Sequence, residues 1–381
     1  MEAALYDPAG GFFTTARGAG RAGGDFLTSV EVGSLFGALV ARAADGWWEQ
    51  LGQPDPFLVV DAGAGRGQLA RDVLRANPRC AGALHYVLVE RSDGLRAAQA
   101  EHLRLEPAEL ALGPAVPPEP GEEPVGVPGS GPVVTALSEL PAGPAVGVIV
   151  ANELADNLPF RIVERTPGGW DEIRVADAAQ RPPETAAPRE AGSPAGATGF
   201  AELALSADEG LAALADRLAD GSEIPVGARL PVPTALSEWL RSAAGMLRRG
   251  VVAVIDYGAP VGELAERGQA GWLRTYRAQR PGGSPLDAPG CQDITADVPL
   301  EGLRRAAAAA GLSVLAETTQ AEWLRSLGVD ELVEEARAAW HGRAATDLAA
   351  IAARSRVQEA DALLDPAGLG AHRVTILGKR V

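Results

Sequence analysis

With 381 residues, 46% of them hydrophobic, and a formal charge of −16 from 50 acidic against 34 basic residues, the chain has material for a large core under an acidic surface. That balance lacks the electrostatic footprint of a general nucleic-acid binder, and no run of about 18 apolar residues free of charge and proline offers a membrane-spanning helix. Two cysteines, Cys80 and Cys291, and four scattered histidines, His85, His102, His341 and His372, give neither a disulfide framework nor metal-ligand spacing, so each histidine reads as a surface or packing residue.

The opening MEAALYDPAGGFF has no basic leader and no long apolar region, so a cytoplasmic protein without a signal peptide is expected. Val32, Leu35, Phe36, Leu39, Val40, Ala43 and Trp47 recur at helical spacing and predict a helix over 31–48. FLVVDA (57–62) reads as a buried strand, 68–77 as a helix, YVLVE (86–90) as a second strand and 93–105 as a second helix. This order implies parallel pairing through right-handed crossovers. Residues 106–131, rich in proline and glycine, read as a loop, and VVTAL and VGVIVANE as two further strands.

The alternation is then interrupted over 160–235, an insertion whose Pro/Ala-rich stretch 181–197 has the composition of a mobile surface loop. It resumes with a helix over 235–248 and the strand VVAVID (251–256), and closes with LSVLAE, helices around Trp323 and Trp340, and a hairpin strand RVTILG. Trp47, Trp48, Trp239, Trp323 and Trp340 fall in helical patterns and are assigned to the core. The expectation is one α/β domain over 1–381 whose parallel sheet carries helices on both faces.

Between the first strand and its helix, VVDAGAGRGQLARDVL places Gly63, Gly65 and Gly67 at alternate positions after Asp61. Glycine lets such a turn take positive φ and lets a ligand approach without a Cβ in the way. The helix behind adds free N–H groups and a positive dipole end. The third glycine of a dinucleotide fingerprint is replaced by Gln68, which argues against NAD. The pattern instead resembles the first motif of S-adenosylmethionine (SAM) enzymes. Glu90 ends the next strand at the distance expected of a carboxylate that accepts from both ribose hydroxyls. The plainer alternative is a tight βα turn and a solvated strand end.

Several stretches then resemble one family along almost the whole chain: ALYDPAGGFF, GGDFLTSVEVGSLFG, the glycine loop, YVLVERSDGLRAAQ, VANELADNLPFRIVE, VVAVIDYG, LRTYRAQ with QDITADV, and TQAEWLRSLG. On these the sequence is similar to the MidA family of SAM-dependent methyltransferases. Val30 stands where the family pattern has proline, and Asp297 where many members have histidine. The resemblance implies a Rossmann-like methyltransferase sheet, an N-terminal segment (1–52) packed on the cofactor site, and an inserted substrate-side subdomain. It further implies SAM as cofactor and protein arginine methylation, which in mitochondrial relatives serves respiratory complex I assembly. Asp25 and Thr28 of GDFLT would border the cofactor, Asp25 facing the methionine amino group, with Glu31 nearby.

Asn152, Glu153 and Asp156 follow a strand at the presumed carboxyl edge of the sheet, where ligands bind in open α/β folds. A guanidinium nucleophile is cationic with delocalised lone pairs, and carboxylates that bind it bidentately localise its charge. Glu153 and Asp156 are the candidates for that task and Asn152 borders the cofactor. Turn and capping chemistry is the competing explanation for Asn152 and Asp156. Asp256 and Tyr257 at the end of VVAVIDYG are read either as cleft residues or as a strand terminus before a glycine turn. Three other activities compete. Base methylation is disfavoured because ELAD offers no aromatic for a flipped base. A SAM-binding assembly factor without turnover and a small-molecule methyltransferase both stay open.

Overall fold

A computed structural model describes residues 1–14, 28–113, 131–177, 199–277, 280–341 and 347–381. Asp25 and the 181–197 stretch lie outside these residues. The chain begins with α1 (Glu2–Tyr6), α2 (Ser29–Val32) and α3 (Ser34–Gln50), so the helix expected over 31–48 is two helices meeting at Gly33. The cause is Glu359, far along the chain, whose Oε2 accepts the Leu35 N–H at 2.9 Å and so caps the first turn of α3.

There follow β1 (Phe57–Ala62), α4 (Gln68–Arg75), β2 (Leu84–Val89), α5 (Asp93–Gln99), α6 (Ala108–Leu112), β3 (Val133–Leu137) and β4 (Ala145–Asn152). Two expectations are corrected here. The helix expected over 93–105 ends at Gln99, because the chain must then reach the sheet edge, where the Glu106 N–H donates to the Val134 carbonyl at 2.7 Å. The loop expected over 106–131 contains α6, started by Pro107 at a position where its missing N–H costs nothing.

The 160–235 region forms a separate antiparallel sheet of β5 (Arg161–Thr166), β6 (Gly169–Asp177), β7 (Phe200–Ser206) and β8 (Arg229–Val232), ordered β7-β6-β5-β8, with α7 (Glu209–Ala219) against it. The chain returns through α8 (Thr234–Met246) and β9 (Leu247–Asp256). After β10 (Leu273–Arg277) and β11 (Asp293–Ala296), it ends with α9 (Leu300–Ala309), β12 (Ser313–Thr319), α10 (Gln320–Ser326), α11 (Val329–Trp340), α12 (Leu348–Leu364) and β13 (Arg373–Lys379).

The main sheet runs β12-β13-β9-β4-β1-β2-β3, parallel from β9 to β3, with β13 inserted antiparallel between β9 and β12. Its apolar strands divide residue by residue between two cores. Phe57, Val59, Tyr86, Leu88, Val148 and Val150 join the side covered by α3, α4 and the C-terminal helices. Leu58, Val60, Val87, Val89, Ile149 and Ala151 join the side covered by α8 and α9. Each such fully buried large aliphatic contributes about 1.5–3 kcal/mol, so the central strands form a rigid platform. Neighbours β2 and β4 lie on opposite sides of β1, which makes the carboxyl ends of β1 and β4 the switch point where open α/β sheets bind ligands.

Candidate functional site

At that switch point the glycine loop leaves β1. Gly63, Gly65 and Gly67 have φ of 76°, 52° and 78°, and the Gly63 and Ala64 N–H groups donate to the Val89 carbonyl at 2.9 and 3.0 Å, folding the loop across β2. The Gly65 N–H donates to Glu90 Oε2 at 2.9 Å, while Gln99 Nε2 donates to the Gly65 carbonyl at 2.8 Å. A Cβ at Gly65 would meet nothing within 4 Å, whereas one at Gly67 would sit 2.8 Å from the Leu103 side chain. Gly65 therefore faces open space and Gly67 serves close packing behind the loop.

Glu90 accepts from Gly65 on one oxygen and from the Ser92 N–H on the other, at 2.8 Å. Burial raises its carboxyl against the lowering effect of those two N–H groups and of the Arg96 charge. Asp61, at the β1 end, is pushed up to about 7 by burial, partly offset by the Tyr86 hydroxyl that donates to it at 3.3 Å.

Across the cleft, β4 ends in a turn of concentrated acidity. Glu153 sits at φ 52°, uncommon for a residue with a side chain, and is tied by its N–H to the Ile255 carbonyl at 2.8 Å. Its Oε1 accepts from the Ser29 N–H at 2.8 Å and from Asn152 Nδ2 at 3.2 Å. Ser29 is itself held by its hydroxyl, which donates to Gln320 Oε1 at 3.0 Å, and Gln320 donates to the Leu363 carbonyl at 3.3 Å. Ser29 and Gln320 are fully buried, so the C-terminal helices fix the orientation of Glu153 through α2. Burial pushes the Glu153 carboxyl up to about 8, against the Ser29 N–H and with repulsion from Asp256.

Asp256 Oδ2 accepts from the Ala155 and Asp156 N–H groups at 2.7 and 3.3 Å, and its Oδ1 from Tyr257 at 2.9 Å. It organises the 154–157 turn from beneath and is not a cleft residue. Tyr257 packs on His372 at 4.0 Å between ring centroids. Asp156 is 4% exposed, its Oδ1 has no hydrogen-bond partner, and burial followed by the charges of Asp256 and Asp293 raises it well above the usual carboxylate range.

Thr28, Glu31, Asp61, Gly63, Gly65 and Glu90 line one cleft of about 1650 Å³ together with Asn152, Glu153 and Asp156. Gly67 lies outside its lining. Trp239, assigned to the core from its spacing, also lines the cleft. Asp297, where the family pattern has histidine, is a buried acceptor for Arg267 at 2.8 Å and for Arg274. Sequence reasoning missed Tyr6, whose hydroxyl donates to the Asn157 carbonyl at 3.1 Å, the Ser29–Gln320 support, and Asp293. Asp293 lies in the noted QDITADV segment, but only the fold brings it to Asn157.

A nucleoside fits this half of the cleft. Gly65 leaves a cradle that any Cβ would fill, and each Glu90 oxygen, already holding one N–H, keeps lone-pair capacity for a ribose hydroxyl.

Comparison with known proteins gives the same direction. A family described as "Putative S-adenosyl-L-methionine-dependent methyltransferase" matches residues 39–318. Over 183 residues the chain is 31% identical to "Protein arginine methyltransferase NDUFAF7 homolog, mitochondrial" of Drosophila melanogaster, covering 46% of this chain and 40% of that one. Over 320 residues it is 27% identical to "Protein arginine methyltransferase NDUFAF7, mitochondrial" of Xenopus tropicalis, covering 81% and 66%. The chain thus spans less than two thirds of the length of these two relatives. A crystal structure of a superfamily protein from Burkholderia thailandensis bound to S-adenosyl-homocysteine superposes with a TM-score of 0.73 at 28% identity, covering 99% of this chain and 86% of that one.

Proposed function

The chain belongs to this family of SAM-dependent methyltransferases, and from that premise we propose that it methylates an arginine side chain of a protein substrate. The observation that carries the reading is the pair of carboxylates, half-buried Glu153 and buried Asp156, on the cleft that also holds the glycine loop. SAM, when bound, supplies a methyl group on a positively charged sulfur. Gly63 and Gly65 leave room for the nucleoside, Glu90 accepts from its ribose, and Asp61, Thr28, Glu31 and Asn152 border the rest; Asp25 belongs to this set by the family resemblance alone.

Glu153 and Asp156 bind the guanidinium, withdraw delocalisation from the reacting nitrogen and offset the second positive charge. Holding the two reactants in line contributes roughly 7–11 kcal/mol of barrier reduction. Glu153 accepts the nitrogen's proton as the methyl bond forms, a role suited to a carboxyl already lifted to about 8 by burial.

The domain reading belongs to the same proposal: one methyltransferase domain over 1–381, residues 1–52 closing on the cofactor and 160–235 on the substrate side. Thr28, Val30 and Glu31 in the cleft lining support the N-terminal part. A respiratory complex I subunit is the first target to try. No helix among the described residues is long and apolar enough to cross a membrane. The relatives' names carry "mitochondrial"; a cytoplasmic location, expected from the opening residues, is a proposal that fractionation tests.

The experiment is transfer of labelled methyl from SAM to arginine-rich and lysine-rich protein fractions, followed by acid hydrolysis and identification of the labelled amino acid. Methylarginine formed by the wild type and reduced about a hundredfold or more in Glu153→Gln and Asp156→Asn, with SAM affinity retained, is expected. Label in a small molecule, or SAM binding with no turnover on any fraction, overturns the arginine assignment.

A further inference from the structure

The acidity of the cleft does not stop at the turn after β4. Asp293 opens β11, directly opposite Tyr276 of β10 in the antiparallel register, and both line the cleft with Tyr6, Asp156 and Thr295. Asn157, next to Asp156 in the chain, donates its Nδ2 to Asp293 Oδ1 at 3.0 Å, so a side-chain hydrogen bond ties the turn that carries Asp156 to Asp293. Asp293 Oδ1 also accepts its neighbouring N–H from Ile294 at 2.8 Å. Both bonds use one oxygen of the carboxylate.

Tyr276 and Arg277 line the same cleft, yet two polar atoms of this corner are left over. Asp156 Oδ1 and Thr295 Oγ1 are buried without a partner, in residues 4% and 2% exposed. Tyr6 spends its hydroxyl hydrogen on the Asn157 carbonyl. Arg274 is the cation whose charge reaches Asp156, but its guanidinium is bound to Asp297 and lies 4.9 Å above the Tyr257 ring. Buried acceptors left unmatched are costly, and nearly all such groups in proteins find a partner. A donor with positive charge would match the two carboxylates.

We propose that this corner, between the 153–157 turn and β11, is the guanidinium subsite, and that Asp293 is the residue that makes it specific for arginine over lysine. The inference rests on the arginine reading above and adds a residue and a selection rule to it. A guanidinium carries five donors in a planar fork, suited to engaging two carboxylates, Asp156 and Asp293, at once. An ammonium is a compact point with three donors and satisfies one wall at a time. Burial, before any neighbour, raises both carboxyls above the ordinary aspartate value, Asp293 to about 6, and a bound cation relieves that cost.

Asp293→Asn is a clean variant because Oδ1 can keep both of its present bonds while the charge is removed. The probes are acetyl-Gly-Arg-Gly-amide and acetyl-Gly-Lys-Gly-amide, titrated calorimetrically into the SAH-saturated protein, with SAH affinity measured in parallel. The wild type is expected to bind the arginine peptide at least about tenfold more tightly than the lysine peptide. Asp293→Asn should lose that preference, with SAH binding unchanged and the KM for arginine peptide in methyl transfer raised more than kcat is lowered. An unchanged arginine preference in Asp293→Asn overturns the subsite and leaves the arginine reading standing. A wild type that binds SAH and neither peptide, or prefers lysine, overturns the arginine reading itself.

Discussion

The two halves of the cleft are built by different physics. On the β1–β2 side, the cleft is lined by the positive-φ glycines Gly63 and Gly65 and by two carboxylates, Asp61 and Glu90, the latter already steadied by the Gly65 and Ser92 N–H groups. On the β4 side are the carboxylates Glu153, Asp156 and Asp293, positioned by a hydrogen bond from α2 to Glu153 and by bonds that the 154–157 turn donates to Asp256 of β9 and Asp293 of β11, and raised above their ordinary values by burial. On the proposed assignment the first half would recognise shape and a diol, and the second would hold its carboxylates for a cation.

The sharpest way to separate the halves is to fill the first. Gly65→Val places a side chain in the open cradle and forces a β-branched residue to φ 52°. SAM affinity is expected to fall beyond detection, about a hundredfold or more, and Glu90→Ala, which removes the ribose acceptor and frees the Gly65 N–H, should fall by about tenfold or more. Guanidinium binding should survive in both. Calorimetric titration with SAM checks the first claim. Full SAM affinity in Gly65→Val would mean that the cofactor does not sit on this loop.

Legibility in the sequence follows the same division. Gly63 to Glu90 is a contiguous βαβ unit whose spacing states its own geometry, and the burial of β1, β2 and β4 on both faces follows from their nearly continuous apolar runs. The acidic half is assembled across long separations: 136 residues between Asn157 and Asp293, 124 between Ser29 and Glu153, 291 between Ser29 and Gln320. Only the fold decides which carboxylates meet. Glu153 and Asp156 were visible because they end a strand, whereas Asp256, at an equivalent strand end, proved to hold the turn from below. The break between α2 and α3 was hidden for the same reason, since its cap comes from Glu359. Helix ends were the poorest guide: at α5 apolar spacing continued past the point where the chain turns toward β3.

A titration distinguishes the halves with a smaller effect. Glu153 must be ionised to bind a cation and accept a proton, so kcat/KM should rise as pH climbs through the value near 8 that burial imposes. The limb in kcat should lie lower, because a bound guanidinium favours the charged form. In Glu153→Gln the residual rate should be about a hundredfold lower and its limb displaced downward, since Asp156 then loses a repelling neighbour. SAM affinity should not follow the Glu153 limb; its own titration belongs to Asp61, near 7, and to Glu90. A pH–rate profile identical in shape for wild type and variant would remove Glu153 from proton handling.

The smallest expected effect is on stability, and its sign runs opposite to that of activity. Asp156 has a folded-state value raised above the ordinary 3.8 of the unfolded chain, so between these values the folded protein holds a proton that the unfolded chain has released. Its contribution to stability is therefore best at low pH and is lost progressively as pH rises through that window. Asp156→Asn keeps the shape and removes the charge, so without ligand it should be more stable than the wild type at pH 8, by roughly 1 kcal/mol or more, or about 2–4 °C in Tm for each kcal/mol. The advantage should shrink toward pH 4 as the unfolded carboxyl also protonates, and an arginine peptide should stabilise the wild type and not the variant. The same substitution on the cofactor side, Glu90→Gln, should gain nothing, because Gly65 and Ser92 donate to both oxygens and one of those N–H groups would then face an amide nitrogen that cannot accept. Thermal melts of the two variants across pH compare the halves directly: a gain at Asp156 with none at Glu90 is the mark of a subsite whose charge is held in reserve for a cation, and equal behaviour would mean that burial alone, with no division of labour, set both carboxyls.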